Sequence, residues 1–161
     1  MRVPPVVNSS PLIVLAKASH LALLRLAGDP VLVPRAVEQE ISRRGATDLA
    51  VQALSQTSWL QIVDPGRVPA VLQQYGLGAG EAAVLTWALA YPGTEALLDD
   101  LVARRCATAL GIPHRGSAGL VIAAKQQGFI AAARPVLEQL RHAGLHLSDR
   151  VMNRILGQVG E

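Results

Sequence analysis

The chain has 161 residues, half of them apolar, with a net charge of +3 and one cysteine. That length suits one compact domain, and that apolar fraction supplies a core, which excludes a disordered chain. A single cysteine excludes an intramolecular disulfide, and no run reaches the roughly 18 apolar residues of a membrane span, because Lys17, His20 and Arg25 interrupt the first long apolar stretch. The first residues carry one arginine and two prolines without a signal-peptide core, which predicts a cytoplasmic protein. Thirteen of the fifteen basic residues are arginine. The guanidinium fork suits phosphate, although a genome-wide composition bias accounts for the same count. Aromatic residues make up 3%, which argues against a base-stacking platform.

Residues 3–7 form a short apolar run that predicts a buried strand. Ser10 as N-cap and Pro11 as first helical residue then open a helix, carried by Leu12, Leu15, Ala16, Leu23, Leu24 and Leu26 to about Ala27, where Gly28-Asp29-Pro30 stops it. A strand over 31–33 precedes a helix opened by Pro34, with Val37 and Ile41 on its inner face, and Gly45 ends it. A helix over 47–57 and a strand over 59–63 follow; the polar stretch 67–76 has no clear pattern. Leu77-Gly78-Ala79-Gly80-Glu81 leads into a helix over 82–90, then a buried strand over 96–98 ending in Asp99-Asp100, and a helix over 101–110. An extended piece at 112–115, a helix from Gly116-Ser117 to Gly128, and helices over 134–143 and 149–158 complete the chain, the last capped by Ser148 or Asp149. Cys106 falls in a helical context and reads as a small buried hydrophobe. Short strands alternating with helices predict an α/β fold with a parallel sheet covered on both faces. One domain is expected over 1–161, with 134–161 as a helical extension over the core.

In open parallel sheets, ligands bind beyond the carboxyl ends of the strands. Asn8 follows the first predicted strand, Asp99 and Asp100 follow the fourth, and Glu81 opens the helix before it. Glu38 and Glu40 lie on the helix after the second strand, both roughly 80° from the Val37/Ile41 stripe, so periodicity does not choose between them. Gathered carboxylates repel unless a cation lies between them, and hard oxygen donors favour Mg²⁺ or Mn²⁺. Such a site suits phosphodiester hydrolysis. Each acid also has a structural explanation. The helix dipole alone favours Glu81, one of Asp99 and Asp100 is expected to cap a helix, and Glu38 and Glu40 suit a solvated surface. No zinc spacing and no phosphate-binding Gly-Lys-Ser/Thr motif is present.

Four segments together resemble the PIN-domain superfamily, and within it the VapC-like prokaryotic branch. They are Val6-Val7-Asn8-Ser9-Ser10-Pro11-Leu12-Ile13, the run from Val33 to Ile41, the run from Leu77 to Ala83, and Leu97-Leu98-Asp99-Asp100 followed by Ala103-Arg104. Gly116-Ser117 and Leu147-Ser148-Asp149, each before a helix, extend the match over nearly the whole chain. The resemblance selects Glu40 over Glu38, assigns Glu81, and leaves Asp99 and Asp100 both open. It implies a three-layer α/β/α fold, Mg²⁺- or Mn²⁺-dependent ribonuclease chemistry on RNA, a homodimer, and a small antitoxin bound over the active site. The superfamily's first acid is usually Asp; Asn8 stands there, as it does in the branch this chain is most similar to. An amide oxygen can ligate a metal but brings no charge, so weak or absent activity is implied.

On this reading Glu40, Glu81 and Asp99 or Asp100 hold the metal, and Asn8 is a neutral ligand or orients bound water. Ser9, Ser10 and Ser117 orient water or phosphate, or serve as helix caps. Arg104 and Arg115 hold the substrate backbone, and Arg105 reads as surface charge. His114 is expected to be structural, and His20, His142 and His146 show no ligand spacing. Two rival functions stand beside the nuclease. One is a non-catalytic PIN-like protein that binds RNA or an antitoxin. The other is a DNA-binding regulator using 134–158 as a helix-turn-helix, with Arg150 and Arg154 on one face. A small-molecule α/β enzyme lacks the Gly-rich fingerprint after the first strand.

Overall fold

Five short strands form one all-parallel sheet in the order β3-β2-β1-β4-β5 in the computed structural model, which describes residues 2–161. They are β1 (Val6–Val7), β2 (Val31–Pro34), β3 (Leu60–Val63), β4 (Ala96–Leu97) and β5 (His114–Arg115). Parallel neighbours need long crossovers, and the helices between strands supply them: α1 (Ser9–Lys17), α2 (Arg35–Ser42), α3 (Leu49–Gln56), α4 (Ala70–Gln73), α5 (Ala79–Ala90) and α6 (Leu101–Ala109). Helices α7 (Ser117–Gln126), α8 (Ala133–His142) and α9 (Asp149–Gln158) follow the last strand in sequence. Helices flank the sheet as a three-layer α/β/α fold. Among the described residues, no helix is long and apolar enough to cross a membrane.

The central strand β1 is buried along its length, as a doubly covered parallel strand must be. Val6 pairs with Leu32 on one side and with Ala96 on the other. The chain leaves β1 toward β2 and returns on the opposite side at β4. Strand order therefore reverses at β1, which opens a crevice at the carboxyl ends of β1 and β4. Leu12, Leu15, Leu85, Leu97, Leu98, Leu120 and Leu137 are fully enclosed around this frame, each worth about 1.5–3 kcal/mol of burial. Cys106 is buried among them, as its setting predicted.

Three local expectations need correction. The first helix does not run from Pro11 to Ala27. It starts at Ser9, with Asn8 in the N-cap position and Ser10 inside the first turn, and it stops at Lys17. Ser19 then takes a left-handed φ of 62°, and the amides of Ser19 and His20 bond back to Ala16 and Leu15, a Schellman closure without the usual glycine. A 3-10 segment at Leu21–Leu26 carries the remaining leucines. Second, the stretch 67–76 contains the single helical turn α4. Third, none of Ser9, Ser10 and Ser117 caps a helix; the side-chain caps are Asp48, Asp100 and Ser148.

Helix α8 packs on α1 and α7, and α9 packs on α7 and α8. Ala132, at the N-cap of α8, has no side chain that can accept a hydrogen bond. The Glu161 carboxylate takes that role, accepting from the amides of Ala133 (2.7 Å) and Arg134 (3.2 Å). This ties the residue after α9 to the start of α8, while the α8–α9 loop at the other end lies beside Asp99 and Asp100 past β4.

Candidate metal centre

Asn8 comes directly after β1, and its amide donates to the Leu97 carbonyl at 3.1 Å, so the ladder with β4 continues one residue into the crevice. Its side chain is 1% exposed and makes no cap bond. Asn8 Nδ2 donates to Glu81 Oε1 at 3.2 Å, whereas Asn8 Oδ1 is buried without any hydrogen-bond partner. Buried polar oxygens are seldom left unpaired, so this one calls for an occupant. What faces it is Gly80, in the first turn of α5. A Cβ there would lie 2.9 Å from Asn8 Oδ1 and 2.9 Å from Glu40 Oε2. The bare glycine thus lets α5 close on α2, with both oxygens against the same backbone position.

Glu40 and Glu38 part ways here. Glu38 pairs with Arg35 at 3.0 Å in the first turn of α2, while Glu40 reaches over Gly80. Glu81 is the third residue of α5, and its Oε2 would lie 2.6 Å from a Cβ on Gly78, the N-cap. The carboxylate folds back on the positive end of the helix dipole, which stabilises its charge.

Asp99 and Asp100 also separate. Asp100 Oδ2 accepts from the Ala103 amide at 2.9 Å and caps α6. Asp99 turns toward α7: Oδ1 accepts from the Ser117 amide and Oδ2 from the Ser117 hydroxyl, both at 2.7 Å. Gly116 permits this approach, because a Cβ there would lie 2.9 Å from Asp99 Oδ1. Burial pushes the Asp99 carboxyl above the ordinary carboxylate value, against the lowering effect of both Ser117 bonds and the nearby Arg104 charge.

Glu81, Asp99 and Asp100 line one cleft of about 520 Å³ together with Ser10, Leu101 and the α8–α9 loop at Gly144, Leu145 and His146. Glu81 also lines an adjoining hollow with Glu40 and Arg43, so it links the Asn8–Glu40 pair to the aspartates. Ser9 is buried in the first turn of α1. Arg104 is half-buried near Asp99, Arg105 is exposed, and Arg115 is held by Glu95 at 2.8 Å. His114 bonds Thr108 through Nε2 at 2.8 Å, and burial, reinforced by Arg104 and opposed by Glu95, pushes its imidazole below the ordinary value. His146 carried no sequence signal for this site, and Gly80 and Gly116, though inside the segments that carry the resemblance, carried none for their close contacts with Asn8, Glu40 and Asp99. His146 has no ligand spacing to any acid, and a close approach of backbones is invisible until helices pack.

The donors offered by Asn8, Glu40, Glu81, Asp99 and Asp100 are all oxygens, which suits a hard cation. Among the described residues, no three Asp, Glu, His or Cys side chains stand together as a ready-made cage. A small divalent ion that keeps several waters needs only one or two carboxylates. The partnerless Asn8 Oδ1 beside Glu40, linked through Glu81 to Asp99, fits such a partly hydrated ion.

An all-parallel sheet with oxygen donors gathered past β1 and β4 marks an α/β domain of nuclease type. A family model described as a PIN domain matches residues 4–161, and the chain belongs to that family. PIN domains generally use divalent metal ions and commonly bind nucleic acids. No curated protein and no solved structure matches the chain.

Proposed function

We propose that this PIN domain is a Mg²⁺- or Mn²⁺-dependent ribonuclease of the VapC toxin type, hydrolysing RNA phosphodiester bonds in the cleft beyond β1 and β4. The observation that carries the reading is the buried, partnerless Asn8 Oδ1, which lies with the Glu40 carboxylate against the Gly80 backbone. Glu40, Glu81 and Asp99 would hold the ion, Asn8 Oδ1 would be a neutral ligand, and Asp100 adds charge to the cleft while capping α6. When bound, the ion would lower the pKa of a coordinated water and neutralise charge growing on the phosphate. The chain's own groups set the geometry. Asn8 Nδ2 orients Glu81, and Ser117 holds both oxygens of Asp99. Ser10 lines the cleft within reach of substrate oxygens, and Arg104 stands beside Asp99 to balance phosphate charge.

A second reading, a PIN domain that binds RNA or an antitoxin without cutting, is favoured by two observations. The Asn8 amide occupies Glu81 Oε1 and brings no charge to the ion. Leu101 and Val102, directly after Asp100, are 58% and 50% exposed, an apolar rim suited to a protein partner.

The two readings part on cleavage of a mixed structured-RNA pool with Mg²⁺, with Mn²⁺ and with EDTA, using wild type, Glu81→Gln and Asn8→Asp. Metal-dependent cleavage that disappears in Glu81→Gln is the expected result. An inert wild type beside an active Asn8→Asp identifies a disabled nuclease with an intact site. If all three are inert, the ribonuclease assignment fails.

A further inference from the structure

A second cleft, of about 330 Å³, adjoins the acidic one, and Asp99, Leu145 and His146 line both. Its charged wall has the opposite sign. Arg104 comes from α6, Arg115 from β5 and Arg154 from α9. Arg115 is already committed to Glu95. Arg104 and Arg154 make no ion pair among the described residues, and Arg154 is exposed. His146 stands at the threshold between the two clefts, in the α8–α9 loop.

We propose that this basic cleft seats a backbone phosphate of the RNA strand next to the one being cut, with Arg104 and Arg154 as its cations and His146 at the junction. The position of the scissile bond rests on the ribonuclease reading; the phosphate seat rests on the cleft itself. Neither guanidinium is held in an ion pair, although Arg104 lies beside Asp99, and such forks suit a phosphate oxyanion. Because the two clefts share a wall, a strand with a phosphate at every nucleotide can place one phosphate at the acidic cleft and the next in the basic one, a regular spacing of anions that favours RNA over an acidic protein segment. Helix α9 thus acts as the outer wall of the substrate channel, which explains why a polar, arginine-bearing helix is anchored so close to the carboxyl end of β5.

The test is fluorescence anisotropy with a labelled random-sequence single-stranded RNA, in EDTA, over a range of salt. Wild type is compared with Arg104→Ala, Arg154→Ala, Arg154→Lys and Arg67→Ala. Arg67 is exposed and follows β3, at the opposite edge of the sheet. The expected result is severalfold weaker binding for each of Arg104→Ala and Arg154→Ala, with the salt slope lower by about 0.7 per lost contact. Arg154→Lys restores the slope, and Arg67→Ala binds as wild type. Unchanged affinity and slope in both cleft alanine variants would overturn the proposal. So would absence of RNA binding by wild type, or Arg154-dependent binding of a poly-glutamate peptide with RNA binding unaffected, which would mark an acidic protein partner. Because the assay contains no metal, arginine-dependent binding by a protein that never cuts RNA leaves the phosphate seat standing while the ribonuclease reading falls. Cleavage with cleft variants that bind and cut as wild type does the reverse.

Discussion

A Cβ at position 80 would press on Asn8 Oδ1 and Glu40 Oε2 at 2.9 Å each. Glu40 is exposed and can swing away, whereas Asn8 is buried and cannot. Within a helix, alanine is favoured over glycine by about 1 kcal/mol, which offsets only part of the cost of crowding a buried side chain. Gly80→Ala is therefore expected to melt somewhat below wild type and to bind Mn²⁺ roughly tenfold or more weakly, the usual cost of disturbing ligand orientation. Calorimetric titration beside a thermal melt checks both halves. Asn8→Asp acts in the other direction on the ion. It replaces the amide that donates to Glu81 with a carboxylate facing a carboxylate, so without metal the variant is expected to be less stable by about 1–3 kcal/mol. Urea melts in EDTA and in excess Mn²⁺ would show that deficit and its reversal. Position 8 was readable in the sequence as the place of a missing acid. That its carbonyl oxygen has no partner, and that Gly80 leaves room beside it, depends on how α5 packs on α2 and was not.

At the scale of elements, two contacts make stability depend on pH with a definite sign. The Glu161 carboxylate, bonded first of all by the Ala133 amide and then by that of Arg134, titrates below the ordinary carboxylate value. Its contribution is present above that ordinary value and is lost as pH falls through the folded one. Glu161→Ala is expected to lower the urea midpoint at neutral pH, and the difference should fade on acidification. On β5, burial holds His114 below the ordinary imidazole value of 6.5. The unfolded chain therefore takes up the proton first, and stability falls as pH drops through 6.5 toward the lower folded value. His114→Gln should flatten that part of the profile, measured by melts between mildly alkaline and mildly acidic buffer. Most helices were legible from apolar spacing, caps and breakers, for instance Gly45 after α2 and Ser148 before α9. The end of α1 was not, because a serine took the left-handed position that sequence reading assigns to glycine.

At the scale of the molecule, β1 receives neighbours on both sides and the strand order reverses there, so residues distant in sequence meet. Glu40, Glu81 and Asp99 come from α2, α5 and the end of β4, and holding an ion among them would bind three separate segments together. An ion that binds only the folded state stabilises it by mass action, about 2.7 kcal/mol at a hundred times its dissociation constant. Mn²⁺ is accordingly expected to raise the melting temperature of wild type and to have little effect on Glu81→Gln; scanning calorimetry with and without the ion measures this.

The sequence by itself determined the α/β class, the burial of β1 and β4, and the four segments that carry the candidate donors. Apolar runs, glycine and proline breakers and the spacing of acids are local properties, and they survive being read in one dimension. The resemblance had already selected Glu40 over Glu38, and the pairing of Glu38 with Arg35 supplies a local reason; only the tertiary structure separated Asp99 from Asp100, because Asp100 is taken up by the first turn of α6. It also brought His146 to the acid cleft and Arg154 to the basic cleft beside it. Their placement follows from α8 and α9 folding back over α7, a long-range packing choice that no spacing within the chain encodes.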